Sequence, residues 1–326
     1  MFLAEARTAL SEAPAHHHPR PGSDEYNEHV REEIEHYGRV YQEESARQTL
    51  MQPVPRAWIE AETRAAALVR QATGDELMGH LQARLAARPN SRMLSLGSGP
   101  GGIELHLAAL CPAAAILCMD INPDLLRLGG EQARQRGLAV EFAEADLNTV
   151  ELPEGEFDVV FCHAALHHVI ELERLLEQIG RALRPGGVFI TVDVVTRNGY
   201  LMWPETRQVV HAIWQALPSR FRLNHTVYPA PLIDDQIWEA DTSAGGMECI
   251  RSEEILPAID RSFRALHFVP YFSISRRFLD TMYGPNYDLD SPLDKAVFDW
   301  IWQMDLHYLA SRRLRPETFF GIYRPA

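Results

Sequence analysis

The sequence predicts an α/β fold built on a seven-stranded, mostly parallel, doubly wound sheet whose last strand is antiparallel. Short apolar strands alternate with amphipathic helices from residue 93 to residue 195, and a glycine-rich turn joins the first strand to its helix. Strand-like segments recur as late as residues 318–323. Repeated βα units imply a parallel sheet covered on both faces. A helical N-terminal extension and helical insertions that form a cap complete this prediction.

Composition and charge limit the classes of function. The chain has 326 residues, is 46% hydrophobic and carries a net charge of −14. These values fit a folded protein and argue against nucleic-acid binding, which needs clustered basic residues. No apolar run approaches the ~18 residues of a membrane helix, and the N-terminus lacks a signal-peptide pattern. We therefore expect a cytoplasmic protein, bacterial in its composition, with no nucleic-acid or membrane partner.

The first 90 residues precede any predicted strand. Residues 1–25 are rich in proline and histidine and are expected to form a flexible tail. Residues 26–90 form a helical extension, in which apolar spacings of three and four predict helices at 25–47, 56–73 and 75–87. Tyr37, Tyr41 and Trp58 of this extension are candidates for a lid over a cleft. A dimer interface or plain packing is the alternative, and a monomer and a homodimer both remain open.

Residues 91–198 are predicted to form the alternating core. Pro123 marks one helix start, and Pro185, Gly186 and Gly187 mark the end of the last helix. The predicted strands span 93–97, 115–120, 139–145, 157–162 and 188–195. The predicted helices span 102–111, 123–136 and 171–183.

The rest of the chain is predicted to interrupt and then complete the sheet. Residues 199–247, rich in aromatics and prolines, are interpreted as a cap insertion. Residues 248–326 are expected to add a helix at 252–262, a strand at 263–274 and a final strand at 318–323. A second helical insertion, at about 276–315, separates the last two strands.

The segment that carries the chemistry is SLGSGPGG, residues 95–102, which follows a strand and precedes a helix. Gly97, Gly99 and Gly101 allow the backbone to turn sharply and approach a ligand closely. Asp120 ends the next strand, where a carboxylate can accept from ribose hydroxyls. Asp146 follows the third strand, where an acid can accept from an adenine amino group.

Together these stretches resemble the class I S-adenosylmethionine-dependent methyltransferases of the small-molecule type. The resemblance covers about residues 80–198 and rests on MLSLGSGPGG, ILCMDINPDLL, EADL, FDVVFCHAALHHV and LRPGGVFITVDVV. A Rossmann protein that binds NAD shares the glycines and the later acid, but the EADL and LHHV stretches are not expected in it. The resemblance implies S-adenosylmethionine as cofactor and S-adenosylhomocysteine as product.

The resemblance also implies a set of cofactor-binding residues. The glycine-rich loop would surround the methionine and ribose portions, Asp120 would hold the ribose, and His163 would lie near the sulfonium. At Ser95 the family usually has an acid, so the contact to the methionine amino group departs from the pattern. The cofactor-binding residues implied are Ser95, Gly97, Ser98, Gly99, Gly101, Asp120, Ile121, Asp146, Leu147 and His163.

Candidate catalytic and acceptor-binding residues come from the histidines and the cap. His163 and His167 are candidate general bases, because imidazole titrates near pH ~6.5. A structural role is the alternative for both, and it is the favoured interpretation of His168. The predicted acceptor contacts, with packing inside the cap as their alternative, are Arg197, Tyr200, Trp203, Trp238, Glu239 and Asp241.

We therefore expect methyl transfer to a small molecule of bacterial secondary, glycan or lipid metabolism. The acceptor atom is ranked oxygen, then nitrogen, then carbon. A peptide or RNA methyltransferase is one alternative. A cofactor-binding homologue that transfers no methyl group is another. No cluster shows metal-ligand spacing, so a metal-dependent mechanism is not expected.

Overall fold

The computed structural model describes residues 18–47, 54–227, 230–243 and 245–326. Most of the predicted tail, residues 1–25, lies outside the described residues, and so does the side chain of Tyr41. None of the helices in these ranges has the length and apolar character needed to cross a membrane.

Seven strands form one sheet, as predicted. In chain order the strands are β1 (Arg92–Leu96), β2 (Ala115–Asp120), β3 (Val140–Glu144), β4 (Phe157–His163), β5 (Leu183–Val194), β6 (Leu223–Asn224), β7 (Leu232–Ile233), β8 (Phe263–Tyr271) and β9 (Thr318–Pro325). The large sheet has the order β3-β2-β1-β4-β5-β9-β8, and β6 pairs only with β7. Strands β1 to β5 pair in parallel, whereas β9 is antiparallel to both β5 and β8. The fold class predicted from the sequence is confirmed.

Helices cover both faces of this sheet. They are α1 (Asp24–Arg47), α2 (Arg56–Thr73), α3 (Leu77–Ala86), α4 (Gly102–Leu110), α5 (Pro123–Arg136), α6 (Leu172–Ala182), α7 (Pro204–Ala216), α8 (Ile255–Ser262), α9 (Ser275–Leu279) and α10 (Pro292–Ala310). Local signals set several ends. Gly74, with φ of 93°, ends α2 and donates its N–H to the carbonyl of Arg70. Asn122 begins α5, because its side chain accepts from the N–H groups of Asp124 and Leu125.

Two apolar cores lie on opposite faces of the sheet. One packs α2, α3, α7 and α10 against it, with Trp214 and Tyr283 in edge contact at 4.8 Å. The other packs α6 and α8 against it, through residues such as Leu176 and Ile259. The extension and both predicted insertions therefore contribute to the first core. Their burial joins them to the sheet instead of leaving them as a separate domain.

Three predicted boundaries differ from the structure by three residues or more. β5 begins at Leu183, not at residue 188, because Leu183 pairs with Phe157 across an irregularity in the register. α8 begins at Ile255, since Ser252–Glu254 forms a 3₁₀ turn. β8 ends at Tyr271, before residue 274. Asp305 Oδ1 there accepts from the backbone N–H groups of residues 273, 274 and 275, at 2.8, 2.6 and 2.9 Å, which turns the chain into α9.

Candidate functional site

A cavity of about 880 Å³ lies where β1, β2, β4, β5 and β9 meet the N-terminal helices. The glycine-rich loop after β1 and the residues after β2 and β4 form one part of its wall. α1 and α2 form another part. Ligands of open parallel sheets bind outside the carboxyl ends of the strands, and this volume suits a cofactor together with a small second molecule.

The glycine-rich loop has a backbone shape that excludes side chains. Gly97 and Gly101 have φ angles of 64° and 73°. A Cβ at Gly97 would lie 2.3 Å from the Cβ of Ala165, and one at Gly101 would lie 2.9 Å from Phe142 Cε1. Larger residues at either position would force the loop to move. Gly97, Ser98 and Gly99 line the cavity, so a ligand can approach the bare backbone here.

Asp120, at the end of β2, is tied to this loop. Its Oδ2 accepts from the N–H of Gly99 at 2.8 Å, and its Oδ1 accepts from the N–H of Asn122 at 2.9 Å. Burial raises the pKa of Asp120, while the two N–H donors oppose that shift. Asp120 and the next residue, Ile121, both line the cavity. The structure thus brings the predicted ribose-binding carboxylate beside the glycine-rich loop.

Asp146 and Leu147 also line the cavity, and Asp146 is bound by the N-terminal helix. The hydroxyl of Tyr26, in α1, donates to the Asp146 carboxylate, whose two oxygens both lie 2.8 Å away. Asn148 Nδ2 donates to the Tyr26 hydroxyl, also at 2.8 Å. The Nδ2 of Asn122 donates to the carbonyl of Ile34, at 3.1 Å. Helix α1 is therefore fastened over the part of the cavity that the resemblance assigns to adenine.

A buried acid stands next to the serine that replaces the family's usual acid. The Ser95 hydroxyl donates to Glu104 Oε1 at 2.6 Å, and both side chains are buried and line the cavity. Burial raises the pKa of Glu104, although the hydrogen bond from Ser95 opposes this. Glu104 was not among the residues predicted from the sequence. The available signal was a lone acid in α4, whose sequence GIELHLAAL is otherwise nearly all apolar.

The two candidate bases lie after β4 in different settings. His163 lines the cavity, and burial lowers its pKa, so its imidazole is neutral near pH 7. His167 Nδ1 lies 2.6 Å from Asp193 Oδ1, and Asp193 is completely enclosed. Burial favours a protonated Asp193, but the contact with His167 and the backbone N–H donors outweigh this effect and lower the pKa of Asp193. The carboxylate therefore orients His167 through Nδ1.

His168 is surrounded by acids. Its Nδ1 lies 2.8 Å from Glu33 Oε1 of helix α1, and its Nε2 lies 3.7 Å from Glu248 Oε2. Burial disfavours the charged imidazole, but Glu33 and Glu248 outweigh it and raise the pKa of His168 to about 9. The Nε2 atom of His167 lies 3.6 Å from Glu248 Oε1. His167, His168 and Glu248 thus form a group whose ligand-type atoms lie within 4.8 Å of one another, which the sequence analysis did not foresee.

The part of the cavity wall formed by α2, β8, the segment after β8 and β9 contains four aromatic side chains alongside aliphatic ones. One glutamate, Glu62, and one arginine, Arg276, stand among them. Neither was identified from the sequence, because they come from segments 214 positions apart that pack together only in the folded chain. The aromatic residues of this wall are Trp58, Tyr271, Phe272 and Phe320.

The six predicted acceptor contacts lie outside the cavity wall, and five of them have other contacts that account for their placement. Glu239 accepts from Arg207 Nε and Nη2, both at 2.8 Å, and Asp241 accepts from the Ser243 hydroxyl at 2.7 Å.

Of the remaining four, two have rings that contact arginine side chains, one pairs through its backbone, and one is exposed at the surface. Trp203 lies under Arg315 at 4.2 Å, and Arg197 pairs its backbone with that of Leu201. Tyr200 lies under Arg277 at 4.1 Å and under Arg276 at 5.4 Å, so it supports the wall from behind. Trp238 is partly exposed at the surface. The cap therefore supplies little of the wall, whereas α1, α2 and the segment after β8 supply much of it.

Comparisons with known proteins agree with this geometry. Residues 94–191 match a family described as a methyltransferase domain. A demethylmenaquinone methyltransferase of Thermus thermophilus is 32% identical over 31% of this chain and 46% of that protein. A malonyl-[acyl-carrier protein] O-methyltransferase of Enterobacter lignolyticus is 30% identical over 44% of this chain and 52% of that protein. The chain spans about half the length of these curated relatives.

Among solved structures, phosphoethanolamine N-methyltransferase 2 of Haemonchus contortus, in complex with S-adenosyl-L-methionine, is 16% identical. It aligns with a TM-score of 0.46 over 81% of this chain and 53% of that one.

The sheet order and the glycine-rich loop define an α/β protein with a nucleotide-type site at the strand ends. With the domain match, the class is specific for this part of the chain: residues 94–191 carry a methyltransferase domain, as the resemblance to the class I S-adenosylmethionine-dependent methyltransferases implies. The resemblance stated from the sequence is confirmed. The roles of individual residues stay predictions.

Proposed function

We propose that the protein transfers a methyl group from S-adenosylmethionine to a small-molecule acceptor. The observation that carries the proposal is a single cavity with two kinds of wall. One part has the glycine-rich loop, Asp120 and Asp146, and the other has histidines and aromatic side chains. The cofactor, when bound, supplies a methyl group already activated on its sulfonium. The protein then has to bind the two substrates, align the acceptor atom with the methyl group and remove one proton from the acceptor.

The residues of the first part fit the chemical groups of the cofactor. Asp120 lines the cavity and can accept hydrogen bonds from hydroxyl groups. The Asp146 carboxylate accepts from Tyr26 and can accept a further hydrogen bond from a ligand. Glu104 would take the place of the missing acid at Ser95 and accept from the methionine ammonium. A charge-assisted hydrogen bond of this type contributes about 1.5–3 kcal/mol. An anionic wall also suits a cationic cofactor.

We favour His167 over His163 as the general base. An imidazole that donates from one nitrogen to a carboxylate is fixed in the tautomer whose other nitrogen accepts a proton. Asp193 provides that carboxylate for His167, at 2.6 Å. His163, which is neutral and also lines the cavity, is the second candidate. Either base suits an acceptor hydroxyl, which must lose a proton, so oxygen stays ahead of nitrogen and carbon.

The covering of the cavity favours a small acceptor over a macromolecule. Helices α1 and α2 line it, and Tyr26 and Asn122 tie α1 down. A peptide or RNA would have to displace this helix, and the net charge of −14 further disfavours RNA. The proposed setting is the bacterial cytoplasm, in secondary, glycan or lipid metabolism. The relatives named above act on a demethylmenaquinone and on a malonyl-carrier protein, so they do not agree on one acceptor.

Isothermal titration with S-adenosylmethionine and S-adenosylhomocysteine tests the proposal. We expect wild-type protein to bind both, and Asp120→Ala to lose at least tenfold in affinity. Asp124→Ala is the matched control, because Asp124 is an exposed acid in the first turn of α5 with an ion-pair partner on its own helix. Absence of binding by the wild type would overturn the proposal. If the wild type binds S-adenosylmethionine but forms no S-adenosylhomocysteine with any member of a broad acceptor panel, the alternative of a cofactor-binding homologue that transfers no methyl group is favoured.

A further inference from the structure

Arg276 is the single arginine among the residues that line the cavity, and no lysine lines it within the described ranges. Its Nη1 donates to the Thr318 hydroxyl at a long 3.4 Å. No carboxylate of the described residues forms an ion pair with it. The neighbouring Arg277 differs, since its Nε and Nη2 donate to both oxygens of Glu317 at 2.7 and 3.0 Å. The permanently charged guanidinium of Arg276 faces the cavity with no carboxylate of the described residues at ion-pair distance, although the charges of Glu62, Asp280 and Glu317 act on it from further away.

Aromatic rings hold this guanidinium in place. Arg276 Cζ lies 5.7 Å from the ring centre of Trp58 and 5.4 Å from that of Tyr200. Contacts with ring faces orient a planar guanidinium and leave its N–H edge free to donate. A half-enclosed charge of this kind is costly unless it is paired. The arrangement is therefore built for an anionic partner that arrives with a ligand.

The position of Arg276 indicates that its anionic partner is not the carboxylate of the cofactor. Its contact Thr318 begins β9, which is three strands away from β1 in the sheet order. Strands are spaced by about 4.8 Å, so the two strand ends are roughly 14 Å apart. The methionine end of the cofactor belongs near Ser95 and Glu104, at β1 and α4. Arg276 therefore faces the acceptor.

The residues near Arg276 indicate which anionic group the ligand carries. Glu62 also lines the cavity, and burial raises its pKa while Arg276 opposes that shift, so the two charges lie within electrostatic range. Because Glu62 is nearby, a ligand group with one negative charge would be repelled less than a phosphate with two. A carboxylate with one charge matches the single guanidinium and can accept two parallel N–H bonds. The aromatic wall requires an apolar body behind the carboxylate.

We propose that the acceptor is a carboxylic acid with an apolar body, and that its carboxylate pairs with Arg276. This inference rests on the proposed function. It adds that Arg276, Trp58 and Glu62 select the acceptor, while the cofactor is bound by other residues. The remainder of such a molecule would extend from Arg276 toward Glu248 and the histidines.

Ligand-observed NMR on the full chain, saturated with S-adenosylhomocysteine, tests this with benzoate, benzamide and phenyl phosphate as probes. We expect benzoate to bind at least tenfold more tightly than benzamide, and more tightly than phenyl phosphate. Arg276→Gln should abolish the preference for benzoate without changing S-adenosylhomocysteine affinity, and Arg276→Lys should keep part of it. Arg264→Gln is the control, because Arg264 is an exposed arginine of β8 outside the cavity wall.

Each outcome of these binding measurements supports or overturns a stated part of the proposal. Equal binding of benzoate and benzamide by the wild type overturns the proposal, and this comparison needs no variant to fold. A preference that survives in Arg276→Gln overturns the role of Arg276, and tighter binding of phenyl phosphate overturns the choice of a carboxylate. If S-adenosylhomocysteine does not bind, the proposed function fails as well. If it binds and the probes show no preference, only the present inference fails.

Discussion

The Ser95 hydroxyl and the Glu104 carboxylate meet at 2.6 Å between the first strand and the first helix of the core. The family's usual acid at position 95 would project from the end of β1. Here the strand supplies a hydroxyl, and the helix that follows the glycine-rich loop supplies the carboxylate. Both side chains line the cavity, so the carboxyl group comes from the neighbouring element. This contact supports the proposal that Glu104 takes the place of the acid missing at Ser95.

Replacing Glu104 tests whether this carboxylate binds the methionine ammonium. We expect Glu104→Gln to weaken S-adenosylhomocysteine binding by about 10- to 100-fold, the cost of a lost charge-assisted hydrogen bond. Binding of 5′-methylthioadenosine, which lacks the amino acid portion, should change little. Calorimetry on both ligands measures the difference. Equal weakening of both ligands would mean that Glu104 only supports the loop.

The two candidate bases are separated by comparing turnover with cofactor affinity. We expect His167→Asn to lower kcat by about 10²- to 10⁴-fold, the usual contribution of a general base, and His163→Ala to lower it less. Cofactor affinity should stay nearly unchanged in both variants. Initial rates with an acceptor found in the turnover panel, together with calorimetry, provide the measurement. Parallel losses of rate and affinity in His167→Asn would indicate a structural histidine.

Local patterns explain which features could be predicted from the sequence. The bounds of α2, β2 and α5 match the prediction, because Gly74, a compact apolar run and Asn122-Pro123 mark their ends. The glycine-rich loop and the two later acids stand at strand ends, and the parallel sheet brings these ends together. Such signals lie within a few residues of the element they define.

The predicted acceptor wall could not be obtained in the same way. Glu239 is an acid in an aromatic segment, but its partner Arg207 is 32 residues away, and nothing local indicates that the two pair. Arg276 and Glu62 come from distant parts of the chain and meet only because α2 packs beside the segment after β8. Composition indicates that a segment is rich in aromatics. It does not indicate which side of the fold that segment covers.

The contact between Tyr26 and Asp146 should control how firmly helix α1 covers the cavity. We expect Tyr26→Phe to increase amide hydrogen exchange in α1 by roughly tenfold or more, since a hydrogen bond to a carboxylate contributes about 1.5–3 kcal/mol. Tyr308→Phe, in α10, serves as a control. Unchanged exchange in Tyr26→Phe would show that the apolar side of α1 is sufficient to hold it.

Because of His168, the free energy of unfolding is expected to fall as the pH becomes alkaline. Its pKa is raised to about 9 in the folded protein, above the ~6.5 of an unperturbed histidine. The stabilisation is fully present below ~6.5 and is lost as pH rises through about 9. We expect the free energy of unfolding, measured by urea denaturation, to fall between pH 7 and 9 in the wild type. His168→Gln should show a flatter dependence, and identical slopes would contradict the assignment.

The charge on His168 also predicts that methyl transfer needs no metal. Three groups, His167, His168 and Glu248, are close enough to bind a cation, but a metal ligand must be a neutral imidazole. A protonated His168, placed between Glu33 and Glu248, fills the position with its own positive charge. We expect dialysis against EDTA to leave turnover unchanged, and Zn²⁺ titrated at pH 7 to bind no more tightly to the wild type than to His168→Gln. If EDTA abolishes turnover and a divalent cation restores it, His168 is deprotonated in the active enzyme and the group is a metal site.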